Sequence, residues 1–163
     1  MRQAKILFSS ASLKELIKEV LARHVSFRFK AFGASMSPFI LNEDIITLSA
    51  LPHQQIRFGE IVAFTRPCTG GLAVHRVVGF KNNRYLLKGD NVSCSDGLIP
   101  RENIICAVTA IERKNKQVHL SLGGERIIIA LLSRYGFLPF LLRFWHRLGL
   151  HKLNLGRLFC RIG

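Results

Sequence analysis

Between positions 12 and 23 the apolar residues Leu13, Leu16, Ile17, Val20 and Leu21 recur three or four apart, with polar residues between them. That spacing collects them on one face and predicts an amphipathic helix over 12–23. Ser12-Leu-Lys-Glu15 reads as a capping box, in which Ser12 and Glu15 each satisfy an otherwise unpaired amide. From Val25 the period changes to two. Phe27, Phe29 and Ala31 alternate with Arg28 and Lys30, the pattern of a half-exposed strand leading into Gly33. Further strands are predicted at 45–48, 60–64, 73–80, 84–88, 104–112 and 117–122. Turn signals separate them at 51–53, 67–71, 81–83 and Gly89-Asp90-Asn91. The expected body, 25–122, is mainly β and mostly antiparallel. With the helix it forms a domain over 1–124.

After Gly124 the composition shifts. Residues 125–163 are apolar and basic, with Glu125 the only acid. Arg134, Gly136, Pro139 and Arg143 interrupt the apolar run, which stays short of the roughly eighteen residues a spanning helix needs. Two readings of this tail stand. Its rings and guanidinium groups suit a bilayer interface, with peripheral membrane contact through 126–161. Alternatively, a pair of short helices covers one face of the sheet and extends its arginines to solvent. The N-terminus lacks the apolar core of a signal peptide, so the expected setting is cytoplasmic or peripheral to a membrane.

Charge sharpens the question of partners. The 163 residues carry 24 Lys+Arg against 10 Asp+Glu, a net charge of +14, with 48% hydrophobic residues. Mean hydropathy is +0.22. An oily, basic chain meets either nucleic-acid phosphates or anionic lipid headgroups. Composition leaves both open. The cysteines, at 68, 94, 106 and 160, form no C-x-x-C pair and lie at no metal-ligand spacing with the histidines. They read as free thiols of a reducing compartment, and no metal or cofactor is expected.

One loop carries candidate chemistry. Gly33-Ala-Ser35-Met36-Ser-Pro38 spells a tight turn between a strand and an apolar run, and Ser35 is a nucleophile only if a base takes its proton. Among the six histidines, His24, His53 and His119 lie at element ends or turns, and His146 and His151 lie in the basic tail. His75 sits inside a strand, beside Arg76. A hairpin through 81–83 would bring the loop after Lys88 near the end of that strand. The loop carries Asp90 and Asp96, either of which could orient the imidazole.

Four blocks in this order resemble the signal peptidase I family, including the related repressor-type self-cleaving peptidases. They are Gly33-Ala-Ser35-Met36-Ser-Pro38, Gly59-Glu-Ile-Val-Ala-Phe64, His75-Arg76-Val-Val78, and Lys88-Gly-Asp90-Asn91 followed by Asp96. The resemblance covers roughly 25–112. Histidine followed by arginine is similar to the archaeal and endoplasmic-reticulum type, whereas bacterial members place lysine there.

The resemblance implies an antiparallel signal-peptidase-like or repressor-peptidase-like β fold and a serine endopeptidase that cleaves a leader or signal segment from a polypeptide precursor. It implies Ser35 as nucleophile, His75 as general base and Asp96 as the acid partner. Asp90 would organise the loop or assist, and Met36 would face an apolar cleft. Gly33 stands where bacterial members often carry an oxyanion-assisting serine, which leaves that work to backbone amides such as that of Ser35. The family usually has a membrane anchor before the Ser-Met block, where this chain has the amphipathic helix. Two other functions remain: a self-cleaving regulatory peptidase, and a non-enzymatic basic module binding membrane or nucleic acid. The module would leave the Ser, His and Asp blocks as coincidence, and nucleic acid is the less expected partner.

Overall fold

The structure is a computed structural model, and it describes residues 10–51, 56–119, 122–138 and 140. Helix α1, Ser10–Ala22, contains the predicted apolar stripe, with Ile17 and Leu21 buried. Ser12 lies within this helix rather than at its start, so the capping box does not mark the boundary.

Among the described residues eight strands follow: β1 Phe27–Lys30, β2 Ile45–Ala50, β3 Ile61–Thr65, β4 Leu72–Lys81, β5 Arg84–Lys88, β6 Gly97–Pro100, β7 Ile104–Arg113 and β8 Lys116–Gln117. They form one antiparallel sheet in the order β1-β2-β7-β3-β4-β5-β6, with β8 paired to β7. The fold is therefore mainly β, with helices at its two ends in sequence. Two strand expectations need correction. Of the strand predicted at 117–122, Gln117 lies in β8 and 118–119 lie outside any strand, although the Val118 amide still donates to the Ile111 carbonyl; residues 120 and 121 are outside those described. Strand β6 was not expected, because its four residues, Gly-Leu-Ile-Pro, carry no alternation of useful length. Pairing with β5, Leu87 opposite Gly97 through Arg84 opposite Pro100, makes it a strand.

Strand β7 lies between β2 and β3, pairing Leu48 with Val108 and Val62 with Ala107. Strand β3 thus has neighbours on both edges, and it is buried on both faces as well. Ile61 and Ala63 join α1, Met36, Ile46, Leu48 and Ile111 in one core cluster, while Val62 and Phe64 join Val77, Leu87, Ile99 and Ile104 in another. A strand covered on both sides reads as continuously apolar, which explains Ile61-Val-Ala-Phe64.

Helix α2, Arg126–Arg134, covers part of β4. Its Ile129 packs with Leu138 against Phe39, which follows the serine turn. Two cations tether it to the sheet: Lys88 Nζ donates to the Ser133 carbonyl at 2.7 Å, and Arg134 Nη1 donates to the Val78 carbonyl at 3.0 Å. A cation at the carbonyl end of a helix is favoured by the aligned peptide dipoles. The start of the tail therefore lies on the sheet, and a second tail helix belongs to residues mostly outside those described. Among the described residues, no helix is long and apolar enough to cross a membrane. Cys68, Cys94 and Cys106 are free thiols, and burial pushes the Cys106 thiol up to about 12.

Candidate active site

Ser35 sits on the turn between β1 and β2. Gly33 adopts a φ of +101°, a conformation side chains disfavour, and this lets the chain leave β1 sharply. Its amide donates to Asn42 Oδ1 at 3.1 Å. Gly33 thus shapes the turn, and its N–H is already engaged. The amides of Ser37, Phe39 and Ile40 donate to the carbonyls of Ala34 and Met36, winding the segment after Ser35 into a helical turn. Met36 is 4% exposed and packs with Ile17, Leu21 and Ile40. Where the resemblance implied that it faces an apolar cleft, the structure places its side chain in the core. It anchors the turn from beneath while its neighbour Ser35 stays outside.

A second anchor holds the exit of the turn. Arg113, at the end of β7, donates to both oxygens of Asp44 and, through Nη2, to the carbonyls of Pro38 and Phe39. Asp44 in turn accepts from the Leu41 amide at 2.7 Å. A guanidinium offers several donors in a fixed plane, which suits it to gather two carbonyls and a carboxylate. The clamp was not legible in the sequence, since it joins residues 69 positions apart.

His75, on β4, is 3% exposed, and its ring lies 5.8 Å from that of Phe64. His75 Nε2 is 3.1 Å from Ser35 Oγ, and Nδ1 is hydrogen-bonded to Asp96 Oδ2. An ionised carboxylate only accepts, so the Nδ1 proton points at Asp96 and Nε2 is left to accept from the serine hydroxyl. Ser35, His75 and Asp96, distant in sequence, therefore meet in one chain of hydrogen bonds. Asp96 is held from its backbone as well, its amide donating to the Leu87 carbonyl at 2.9 Å.

The sequence reading did not include Arg66. It lies just past β3, and its Nε donates to Asp96 Oδ1 at 3.2 Å, the oxygen His75 leaves free. Burial alone would raise the Asp96 carboxyl. The hydrogen bond and charge of His75, then those of Arg66, outweigh burial and hold it below the usual carboxylate range. Ionised Asp96 therefore contributes stability above the unfolded carboxyl's value of about 3.9, a contribution lost as pH falls through the lower folded value. In urea unfolding at stepped pH, the stability gap between wild type and Asp96→Asn should be full above about pH 5 and shrink below about pH 4. A gap constant across that range would show that Asp96 ionisation is not coupled to folding.

Asp90 takes a different place. It and Arg76 are both fully buried, and Arg76 donates to both Asp90 oxygens at 2.7–3.2 Å. Arg76 Nη1 also donates to the Gly59 carbonyl, and its guanidinium lies 5.5 Å from the Phe39 ring centroid. Asp90 thus ties its loop to the strand that carries His75. The next residue ties the same loop to the serine turn: the Asn91 amide donates to the Ser35 carbonyl at 2.8 Å, and Asn91 Nδ2 to the Ala34 carbonyl at 3.2 Å. Gly89 lies where the pieces converge. A Cβ there would fall 2.7 Å from the Ser35 carbonyl oxygen and 3.0 Å from His75 Nε2. Among the described residues, no group of three or more His, Cys, Asp or Glu is placed to hold a metal ion. No protein-family model and no curated protein matches this chain, so the chemistry of the site rests on its own geometry.

Proposed function

We propose that this chain is a serine endopeptidase, resembling signal peptidase I of the archaeal and endoplasmic-reticulum type, that removes a leader or signal segment from a precursor protein or peptide. The observation that carries the reading is the continuous path from Ser35 Oγ through His75 Nε2 and Nδ1 to Asp96. In the proposed reaction, Ser35 Oγ attacks the scissile carbonyl carbon while its proton passes to His75 Nε2. Asp96 holds the ring and stabilises the imidazolium. The Ser35 amide, at the head of the helical turn, donates to the oxyanion. Collapse breaks the C–N bond, and the amine leaves with the proton from Nε2. Water, deprotonated by the same nitrogen, then releases the acyl group from Ser35.

A non-enzymatic basic module would account for the net charge of +14 but gives no reason for a buried imidazole bridging a serine and a carboxylate. A self-cleaving regulatory role shares the chemistry and differs only in what reaches the serine. Mapping new peptide N-termini in cells carrying wild type or Ser35→Ala separates the readings. The endopeptidase reading expects N-termini from other proteins that vanish in the variant. A self-cleaving peptidase would yield N-termini only from this chain, and identical sets would sink both.

The crowding at Gly89 supplies an independent check. Gly89→Ala must push apart the Ser35 backbone and the His75 ring. A misplacement of about 1 Å costs on the order of a hundredfold in rate. The variant, under conditions where it is folded, should react with an active-site-directed fluorophosphonate about a hundred times more slowly than wild type. An unaltered rate would mean that reactivity does not depend on this contact.

A further inference from the structure

Stability does not account for the place of Arg66. It lies between β3 and β4, and its backbone closes that hairpin without help from its side chain. Its amide donates to the Gly71 carbonyl at 2.9 Å, and its carbonyl accepts from the Gly70 amide at 2.9 Å. The side chain is 44% exposed, and an ion pair at such a site adds little to stability. What sets it apart is the acid it meets. Asp96 Oδ2 is bonded to His75 Nδ1, and Asp96 Oδ1 accepts from Arg66 Nε at 3.2 Å. One carboxylate therefore joins the imidazole to a permanent positive charge.

The sign of each charge gives the consequence. His75 can take the Ser35 proton only while its Nε2 is bare, so acidification removes reactivity by protonating the ring. Asp96 favours the protonated ring. Arg66 opposes it twice: its charge repels the imidazolium, and its hydrogen bond draws the carboxylate charge toward Oδ1, away from the ring. Three more charged groups stand around the imidazole: Asp90 on the loop after β5, Arg76 on β4 and Lys88 on β5. All three are buried, Asp90 and Arg76 paired with each other and Lys88 held by the Ser133 carbonyl. Arg66 is the charge of this set that solvent reaches, and it can be changed without opening the core.

We propose that Arg66 is a positioning residue that extends the reactivity of Ser35 toward acid, an inference that rests on His75 being the base of Ser35. Arg66 acts through Asp96. It offsets part of the pull that the carboxylate exerts on the imidazolium, so the base stays available at a pH where the Asp96–His75 pair alone would hold a proton.

Rates of fluorophosphonate labelling of the full chain, compared between about pH 5 and 8 where each variant is folded, test it. The readout is the pH at which labelling falls to half its plateau. Arg66→Met should raise that half-point by about half a unit to one unit, a shift kept modest because solvent screens a partly exposed guanidinium. Arg66→Lys, which keeps the charge, should recover most of the shift. Arg66→Gln repeats the test if the methionine variant does not fold. A contact that only held Asp96 in place would act in the opposite sense, since freeing the carboxylate from the ring lowers the half-point. A half-point unmoved or lowered in Arg66→Met overturns the proposal, as does a lysine variant shifted as far as the methionine one. Failure of the underlying reading looks different: wild type would go unlabelled, or would label no faster than His75→Gln, and the inference would fall with it.

Discussion

His75→Gln should all but eliminate the reactivity of Ser35 while leaving the fold in place. Glutamine fills most of the space of the imidazole and still reaches a hydrogen-bond partner, but it cannot take the serine proton. Removing one member of a group that acts as a unit costs about as much as removing all, on the order of a millionfold for serine or histidine in such constellations. Labelling of Ser35 by a fluorophosphonate should fall by at least about three orders of magnitude, and the unfolding midpoint should stay near that of wild type. Ser35→Ala sets the zero of the assay, since it removes the acceptor atom. Retention of labelling in His75→Gln would mean that another group activates Ser35, and the hydrogen bond at 3.1 Å would lose its proposed role.

Asp90→Ala should damage stability as severely as His75→Gln damages reactivity. Burial pushes the Asp90 carboxyl up by more than the hydrogen bonds and charge of Arg76 pull it back. A carboxyl with a raised folded value loses stability as pH rises through that value, so the ionised pair is costly to keep in the core. Removing one partner is worse, because the Arg76 guanidinium, fully buried, then loses the carboxylate to which both its Nε and Nη2 donate. Breaking such a pair costs about 3–5 kcal/mol, a large part of the stability of a chain this size. Replacing both groups by apolar residues of similar volume is often neutral. Chemical denaturation should therefore find Asp90→Ala strongly destabilised and Arg76→Met with Asp90→Leu much less so. Equal losses would show that the hydrogen bond to the Gly59 carbonyl, rather than charge pairing, is what the fold needs from Arg76.

The two predictions divide the residues as the sequence divided them, but for different reasons. His75 and Ser35 were visible because their residue types and neighbours stand in recognisable blocks. The two acids were harder to separate: both lie in a turn-rich loop, and residues alone left either as the partner of the imidazole. The resemblance chose Asp96, and the geometry shows what each acid touches: His75 and Arg66 for Asp96, Arg76 for Asp90. Gly33 and Met36 were placed near the chemistry by the same blocks. Their structural parts are the bend of the turn and its seat in the core.

By itself, the sequence determined the elements whose information is local. The stripe of α1, the alternation in β1 and the turns bounding β4 and β5 are set by neighbouring residues, so pattern alone reveals them. Only the tertiary structure decided what depends on residues far apart. The place of β7 between β2 and β3, the clamp of Arg113 on Asp44 and the reach of Arg66 to Asp96 each require contacts across long stretches of chain. The same holds for α2: its apolar residues are not confined to the side the sheet covers, and packing on the sheet decides that Ile129 and Ala130 are buried while Ile127 and Ile128 are exposed. A periodic pattern records how a segment folds on itself; it does not record which distant surface completes its hydrogen bonds or covers its apolar side.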